Sequence, residues 1–555
     1  MERQRANLPA EPNPRQTIPI RPILGMWTID AGRDAPRGAS PDMVNCTITR
    51  GFLVKRPGFS RYKIASNAMD GEVIGLFSTQ TNDDVTHLVA VTPTSVYKFN
   101  GITDMWDQLA GLPLNGEVAE IVTFELSQNK IAFTNQVDPI QLIDPVAMTY
   151  GPLSPDAPVC RFLCRFNGRL NAGSTTEGGV KHPYRHRRPV RDNHSDWLGL
   201  GSGFRDQTEF PAHMRGIRKI GNGMAVYYER AIENSLAQPN AEAPFAYEGR
   251  VTEEGLYAPF TLAGKNNTHY GLGVSQVWEY NGSQIAEVMG QVRDSIFKSL
   301  NATQVKRMFG ITTHDSQEYL AFVSDASSLN PNRVWVWNWQ RQTALPWSIV
   351  GYRCATTHRL DDPLTIDELV GTIDEQNWEF DSQQTLQAYP ALLVGAVNGR
   401  VYRLSELSNV DGGLADTLII DELQGTMDEL SGTFDDMADN VVIQCKWTSH
   451  DFTSENVFNV PGRAITLEKI TIEYQGTGTP LDVDISYSRD GGDTWEGTYK
   501  PQAGPGSGVC TAHLTQQFTG DRVRFKFEHA SKTASFRISK FEVEVQLLAM
   551  KAHAA

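Results

Sequence analysis

Five stretches of the chain repeat one alternation: an apolar run, a short polar turn, then Val, an aromatic residue and a further alternating pair. They are HLVAVTPTSVYKFNG, YGLGVSQVWEYNG, YLAFVSDASSLNPNRVWVWNW and LLVGAVNGRVYRL, with GNGMAVYYER as a looser member. A period of two interrupted by a turn marks paired antiparallel strands. Val226, Val277, Val334 and Val401 stand 51, 57 and 67 residues apart, and the wider gap from Val96 leaves room for weaker members around KIAFTNQVDPIQLID and RFNGRLNAG. A repeat of about 40 to 60 residues made of short antiparallel strands predicts a β-propeller of about five to seven blades, with two packed β-sandwiches of coincident spacing as the alternative.

The last hundred residues change character. ITLEKITIEYQG, PLDVDISYSRDGGDTW and RVRFKFEHASKTASFRISKFEVEVQLL read as longer alternating strands separated by Gly-rich turns, which predicts a C-terminal antiparallel β-sandwich. At the other end, MERQRANLPAEPNPRQTIPIRPILG reads as an extended Pro-rich arm. The expected division is an arm over 1–24, an all-β, propeller-like domain over 25–445 and a sandwich over 446–555. A chain of 555 residues is long enough for two or three domains.

Within the sandwich, SRDGGDTW (488–495) fits Ser-x-Asp-x-Gly-x-Thr-Trp and resembles the Asp-box of sialidases and related propellers. The residues themselves read as a hairpin clasp. Ser488 and Asp490 can bond the backbone of the turn, Gly491 and Gly492 permit positive φ, and Trp495 packs back on the sheet.

Charge redraws the middle of the chain. Residues 361–445 hold eighteen acidic residues against Arg400 and Arg403, a balance of −16 that leaves +1 for the rest of a chain whose total is −15. This acidic insertion contains a repeat, IDELVGTIDEQNWEFD at 366–381 and IDELQGTMDELSGTFDD at 420–436, with Ile366, Ile373, Phe380 and Ile420, Met427, Phe434 at every seventh position. Gly371, Gly425 and Gly432 each weaken a helix by roughly 1 kcal/mol, so short turns are expected rather than a coiled coil. The carboxylates of Asp367, Glu368, Asp374, Glu375, Asp421, Glu422, Asp428, Glu429, Asp435 and Asp436 then line one exposed edge. The basic counterpart is KHPYRHRRPVRDNH, where Lys181, Arg185, Arg187, Arg188 and Arg191 are candidates for holding phosphate or an acidic protein partner, a solvated loop being the plain alternative.

Familiar chemistry is sparse. No phosphate-cradling Gly-x4-Gly-Lys-Ser/Thr, Gly-x-Gly-x-x-Gly, His-Glu-x-x-His or EF-hand loop occurs, and GLGSGF (199–204) reads as a flexible loop. DELSGTFDD has carboxylates at a density that suits calcium but lacks the EF-hand order. Cys46, Cys160, Cys164, Cys354, Cys445 and Cys510 are too scattered for a disulfide framework or a zinc site, and read as reduced, buried thiols. No apolar run is long enough to span a bilayer, and no signal-peptide h-region opens the chain. Catalytic residues, metal and cofactor are therefore all expected to be none. Trp335, Trp337 and Trp339 in VWVWNWQ share one strand face and are expected to fill a sheet interface rather than stack on sugars.

MVNCTITRGFLVKRPGFSRY (43–62), with Lys55, Arg56, Pro57, Gly58 and Phe59 in sequence, resembles the amino-terminal region of tail hub or nozzle proteins of short-tailed bacteriophages. The acidic repeat and HRRPVRDNHSDW resemble segments of the same proteins, so the likeness runs over about residues 40 to 440. It implies a non-enzymatic virion protein of the phage tail, made in the host cytoplasm. It further implies a ring of six copies that binds an adaptor above and fibres or spikes at its side, and that continues the DNA channel and retains the genome. In that setting the ten carboxylates are candidate channel-lining residues, since an acidic wall repels the phosphate backbone without binding it. Residues 1–24 are expected to cross to a neighbouring copy. The alternative is a carbohydrate-binding or glycoside-cleaving propeller, for which the Asp-box and the abundant aromatics speak.

Overall fold

The computed structural model describes residues 14–359, 390–412 and 441–548, apart from short breaks such as 210–212, 406–407, 477–480 and 502–505. The chain forms two compact units, one of residues 57–442 and one assembled from both ends, 1–56 and 443–555.

Among its described residues, the larger unit contains seven four-stranded antiparallel sheets. Six are local meanders, at 75–108, 123–152, 159–206, 214–252, 263–288 and 309–348, each running from a first strand to a fourth in sequence order. The seventh takes Tyr352–His358, Ala391–Ala396 and Val401–Ser405 and completes itself with Gly58–Arg61 from the start of the unit. First strands of successive sheets pack on one another, while the borrowed strand lies outermost. Blade 7 then meets blade 1, through Val73 N–H donating to Ala396 O at 3.1 Å and Ser78 Oγ beside His358 Nδ1 at 2.8 Å. This is a closed seven-bladed propeller, at the upper end of the expected range.

The alternation in the sequence is what builds it. The second strands of the blades, such as Gly223–Tyr228 and Glu318–Val323, are buried on both faces, and apolar residues of facing blades form separate seams: Ile74, Val89 and Val91 with Ile131 and Phe133 between blades 1 and 2, and Met214, Ile217 and Val226 with Phe162 between blades 3 and 4. Val96, Val277 and Val401 open the third strand of their blades and Val334 is the second residue of its own, Arg333–Asn338, as equivalent repeat positions should. Val226 lies instead in the second strand of blade 4, Gly223–Tyr228, so GNGMAVYYER marks a different place in the blade. Trp335 and Trp337 are buried and Trp339 stacks on Tyr270 at 5.8 Å, so these rings belong to the packing between sheets.

The smaller unit is a sandwich, but its membership differs from the expected 446–555. Cys46–Thr49 and Phe52–Lys55 join Ile465–Tyr474, Gly508–Gly520 and Arg537–Leu547 in one sheet, and Met43–Val44 joins the other sheet beside Gln444–Thr448. The reason is long-range pairing that no local pattern announces. The arm is corrected in the same way: Arg15–Ile20 pairs along Arg537–Leu547 of the same chain, with Ile18 and Ile20 buried, so this part serves its own sandwich instead of a neighbour. Residues 1–13 lie outside the described residues. Trp447 from one sheet stacks on Phe541 from the other at 5.1 Å, at the centre of the sandwich core.

The run Lys55–Phe59 is explained position by position. Lys55 Nζ donates to Ser531 O at 2.5 Å and Arg56 Nε to Asn45 Oδ1 at 2.9 Å, both within the sandwich. Pro57 begins the propeller unit. Gly58 is packed so closely that a Cβ would stand 2.2 Å from Val410 O, and Phe59 is buried against Tyr352 at 4.7 Å.

Candidate functional site

The basic run lies on Val180–Arg188, the third strand of blade 3, beside its outermost strand Gly203–Asp206. Alternation sends Arg185 and Arg187 to one face and His186 and Arg188 to the other. Arg185 donates to both oxygens of Asp206 at 2.7 Å, meets Glu177 at 3.3 Å and lies over the Phe204 ring at 3.8 Å. That fork holds the Asp206 carboxyl below its ordinary range and raises the Arg185 guanidinium. Arg187 pairs with the same Glu177 and reaches Trp197 O at 3.4 Å. Arg188 is buried, donates to Glu242 O at 3.3 Å, and is lowered by that burial.

Lys181 and Arg191 remain at the surface, Arg191 beside Asp192 at 3.5 Å. Lys181, His182, Pro183 and Tyr184 face Asp206, Gln207 and Thr208 across an open groove of about 450 Å³. Of the five basic candidates, the structure therefore brings Arg185 and Arg187 together on Glu177, sets Arg188 behind them, and leaves Lys181 in the groove opposite a carboxylate. A groove with one lysine and one aspartate matches a polar protein surface better than a phosphate cradle.

Behind this strand, His186 Nε2–H donates to Asn171 Oδ1 at 3.0 Å, and its Nδ1 lies 2.6 Å from Tyr247 Oη. Burial, with Arg188 and Arg205 nearby, brings its imidazole down to about 3, so it is neutral in the folded chain. Arg205 donates to both oxygens of Glu233 at 2.8 Å and stacks on Tyr247 at 3.7 Å. Glu233 has no exposed side-chain surface and also accepts from Tyr228 Oη at 3.2 Å, so a buried polar network clips blade 3 to blade 4.

A second cluster, which the sequence reading missed, lies near the propeller axis. Glu120, in the connection from blade 1 to blade 2, meets Arg161 of blade 3 at 3.4 Å and Lys306 ahead of blade 6 at 2.5 Å. Blades 3 and 6 are not neighbours in a ring of seven, so one carboxylate can bridge them only by lying near the centre. Arg353, on the first strand of blade 7, joins the same assembly: it meets Glu72 at 3.0 Å, donates to Val118 O, and shares Asn330 Oδ1 with Arg307 at 3.2 and 2.7 Å. Burial and the neighbouring Arg307 bring the Arg353 guanidinium down to about 10, and burial likewise lowers Arg161, with Arg215 adding repulsion. Arg215 pairs with Glu229 at 2.8 Å. The signal was present in the sequence, because Arg161, Arg215 and Arg353 each follow the opening residues of a blade's first strand, in CRF, MRG and YRC.

The ten acidic candidates, from Asp367 to Asp436, lie outside the described residues. Their roots are described: 360–389 connects the first two strands of blade 7, and 413–440 follows Val410–Asp411 and leads to Val441–Val442. The clasp at 488–495 has its expected form. Ser488 Oγ donates to Asp490 Oδ1 at 2.6 Å and accepts from Gly492 N–H at 2.8 Å, while Thr494 donates to Asp490 through N–H at 3.0 Å and Oγ1 at 2.5 Å. Those bonds hold the exposed Asp490 carboxyl far below the usual range. Gly491 and Gly492 have φ of 83° and 103°, and Trp495 lies under Lys526 at 4.9 Å. The clasp joins Asp484–Ser488 to Glu496–Tyr499 within the sandwich unit and is part of no blade.

Among the described residues, no group of three or more His, Cys, Asp or Glu side chains is arranged to hold a metal ion, and no helix is long and apolar enough to cross a membrane. No protein-family profile and no curated protein matches the chain. Many solved structures match it, among them two of weak likeness. The extracellular domain of a hybrid two-component system from B. thetaiotaomicron is 12% identical, with a TM-score of 0.35 over 64% of this chain, which spans only 40% of that one. BamB from Moraxella catarrhalis is 9% identical, with a TM-score of 0.35 over 65% of this chain and 93% of that one. Neither likeness bears on function.

Proposed function

We propose that the chain is a structural subunit of a short-tailed phage tail. In this reading, copies form a hub or nozzle ring that docks an adaptor and tail fibres, continues the DNA channel and retains the genome until ejection. The observation that carries this reading is the run Lys55–Phe59, each of whose residues holds a defined place where the chain leaves the sandwich and enters the closing strand of the propeller.

Two physical features support a mechanical role. Glu120 and its cations tie blades 3 and 6 together near the propeller axis, which suits a rigid wall element and a conduit enclosed between copies of the chain. The first acidic repeat interrupts blade 7 between its first two strands, and the second is carried between Val410–Asp411 and Val441–Val442, a two-stranded ribbon beside that blade's outer strand, so a head-to-tail ring that turns this blade inward would bring the acidic stretch toward DNA at every copy. Such a wall repels phosphate and lets the duplex slide, where a basic wall would bind it strongly and in a salt-dependent manner.

Light scattering on a sizing column tests the assembly. Six copies of a 61.6 kDa chain give about 370 kDa. A particle of one-sixth that mass at every concentration, together with specific binding in a glycan screen, would move the reading to the carbohydrate-binding alternative.

A further inference from the structure

The sandwich holds a buried polar cluster whose two thiols play no part in the tail-hub reading. Asn45 adopts a left-handed conformation, φ 57°, and this kink carries the chain from Met43–Val44 in one sheet to Cys46–Thr49 in the other. Met43 and Val44 pair with Trp447 and Lys446, so Asn45 arrives beside Cys445, and Cys46 turns back onto it. The backbones interlock there: Cys445 Sγ lies 3.0 Å from Asn45 O, and Cys46 Sγ lies 3.4 Å from Lys446 O. The two thiols are within hydrogen-bonding reach of each other.

The surroundings favour thiol chemistry over inert packing. His529 is the ladder partner of Cys445 and is 3% exposed, and its ring nitrogens make no conventional hydrogen bond, the Cys445 sulfur being the polar group beside it. Lys55, the ladder partner of Cys46, is also 3% exposed. Burial alone would raise both thiols, and it does raise Cys46. At Cys445 the hydrogen bonds from Cys46 and His529 and the Lys55 charge outweigh burial and lower the group. Cys160, Cys164, Cys354 and Cys510, in contrast, are all raised by burial.

We propose that Cys46 and Cys445 form a reactive dithiol that closes to a disulfide when the folded protein meets a peroxide. The Cys445 sulfur attacks one oxygen of hydrogen peroxide, the O–O bond breaks, and the departing hydroxide takes up the thiol proton as water, leaving Cys445 as the sulfenic acid. The Cys46 sulfur then attacks the Cys445 sulfur, the S–O bond breaks, and the second hydroxide leaves as water with the Cys46 proton. Two electrons pass from the thiol pair to one peroxide, and His529 is placed to relay the protons. The reagent is small enough to enter through local opening of the sandwich. The product ties the two separate sequence segments of this unit together and closes a loop that contains the whole propeller, the type of cross-link expected to constrain an unfolded chain most.

The test uses the full-length chain, treated with hydrogen peroxide, quenched with catalase, denatured and alkylated before mass spectrometry. The expected result is four alkylated cysteines where the untreated chain has six, and a cross-linked peptide pair containing Cys46 and Cys445 that reduction separates. Cys46→Ser should leave Cys445 as a sulfenic acid trapped by dimedone. Should that variant not fold, His529→Phe in the otherwise intact chain should slow cross-linking several-fold relative to overoxidation of Met. Six alkylated cysteines after treatment, oxidation spread evenly over all six, or protection that a chelator reverses without any cross-linked peptide would overturn the proposal.

Discussion

Glu233→Ala removes the acceptor of a clip between two blades. Glu233 has no exposed side-chain surface, takes both prongs of Arg205 at 2.8 Å and accepts from Tyr228 Oη at 3.2 Å. Breaking a buried pair by deleting one partner costs about 3 to 5 kcal/mol, because the surviving charge stays desolvated. Arg205 keeps 26% of its side chain in water, which places the electrostatic loss near the low end of that range, about 3 kcal/mol. The stranded Tyr228 hydroxyl adds about 1 kcal/mol. The sum, about 4 kcal/mol, should appear as a lower denaturant midpoint for the propeller transition, followed by tryptophan fluorescence in urea. Glu233→Gln, which keeps an acceptor for both partners, should lose about half as much. Replacing both members, Arg205→Met with Glu233→Met, should recover most of the loss, since no charge is left buried. A Glu233→Ala penalty below about 1 kcal/mol, or a double variant that costs the sum of its singles, would refute the claim that the network clips the blades.

Glu120→Ala should cost the propeller about 2 to 4 kcal/mol, because Arg161 and Lys306 lose their shared carboxylate beside other arginines, and should raise amide exchange across 115–121. Gly58→Ala should destabilise blade 7 by about 1 to 3 kcal/mol and loosen exchange at Gly58–Arg61, since the added Cβ meets Val410 O at 2.2 Å. Acid should weaken both units before carboxylate titration dominates. His186 and His269 in the propeller come down to about 3 and His450 in the sandwich to about 4, each chiefly through burial. The unfolded chain protonates these groups near pH 6.5, so below that pH it binds more protons than the folded chain. Stability from each is full above about pH 6.5 and falls by about 2 kcal/mol at pH 5, and urea midpoints across pH 5 to 7 measure it.

What was legible in the sequence was local. The hairpin at Val96, Val277, Val334 and Val401 repeats because each strand pair is closed by its own short turn, and the 488–495 clasp is fixed by residues within seven positions of each other. What escaped it depends on distant partners. Gly58–Arg61 looks like any short strand, and its role as the outer strand of blade 7 comes from pairing with Val401–Ser405, more than three hundred residues on. Arg15–Ile20 likewise reads as an arm until Arg537–Leu547 is beside it. Among the candidate sites, density of charge was misleading: Arg185, Arg187 and Arg188 are concentrated in sequence yet largely spent on internal partners, while the axial arginines are spread over three blades and meet only when the ring closes.

Averaged electron micrographs of the purified assembly, at a resolution that separates blades, decide whether blade 7 bounds the passage of a ring. Closed rings of six with an open centre and blade 7 of every copy facing inward are the expected result. Separate particles, or rings with blade 7 on the outer rim, would overturn the tail-hub proposal.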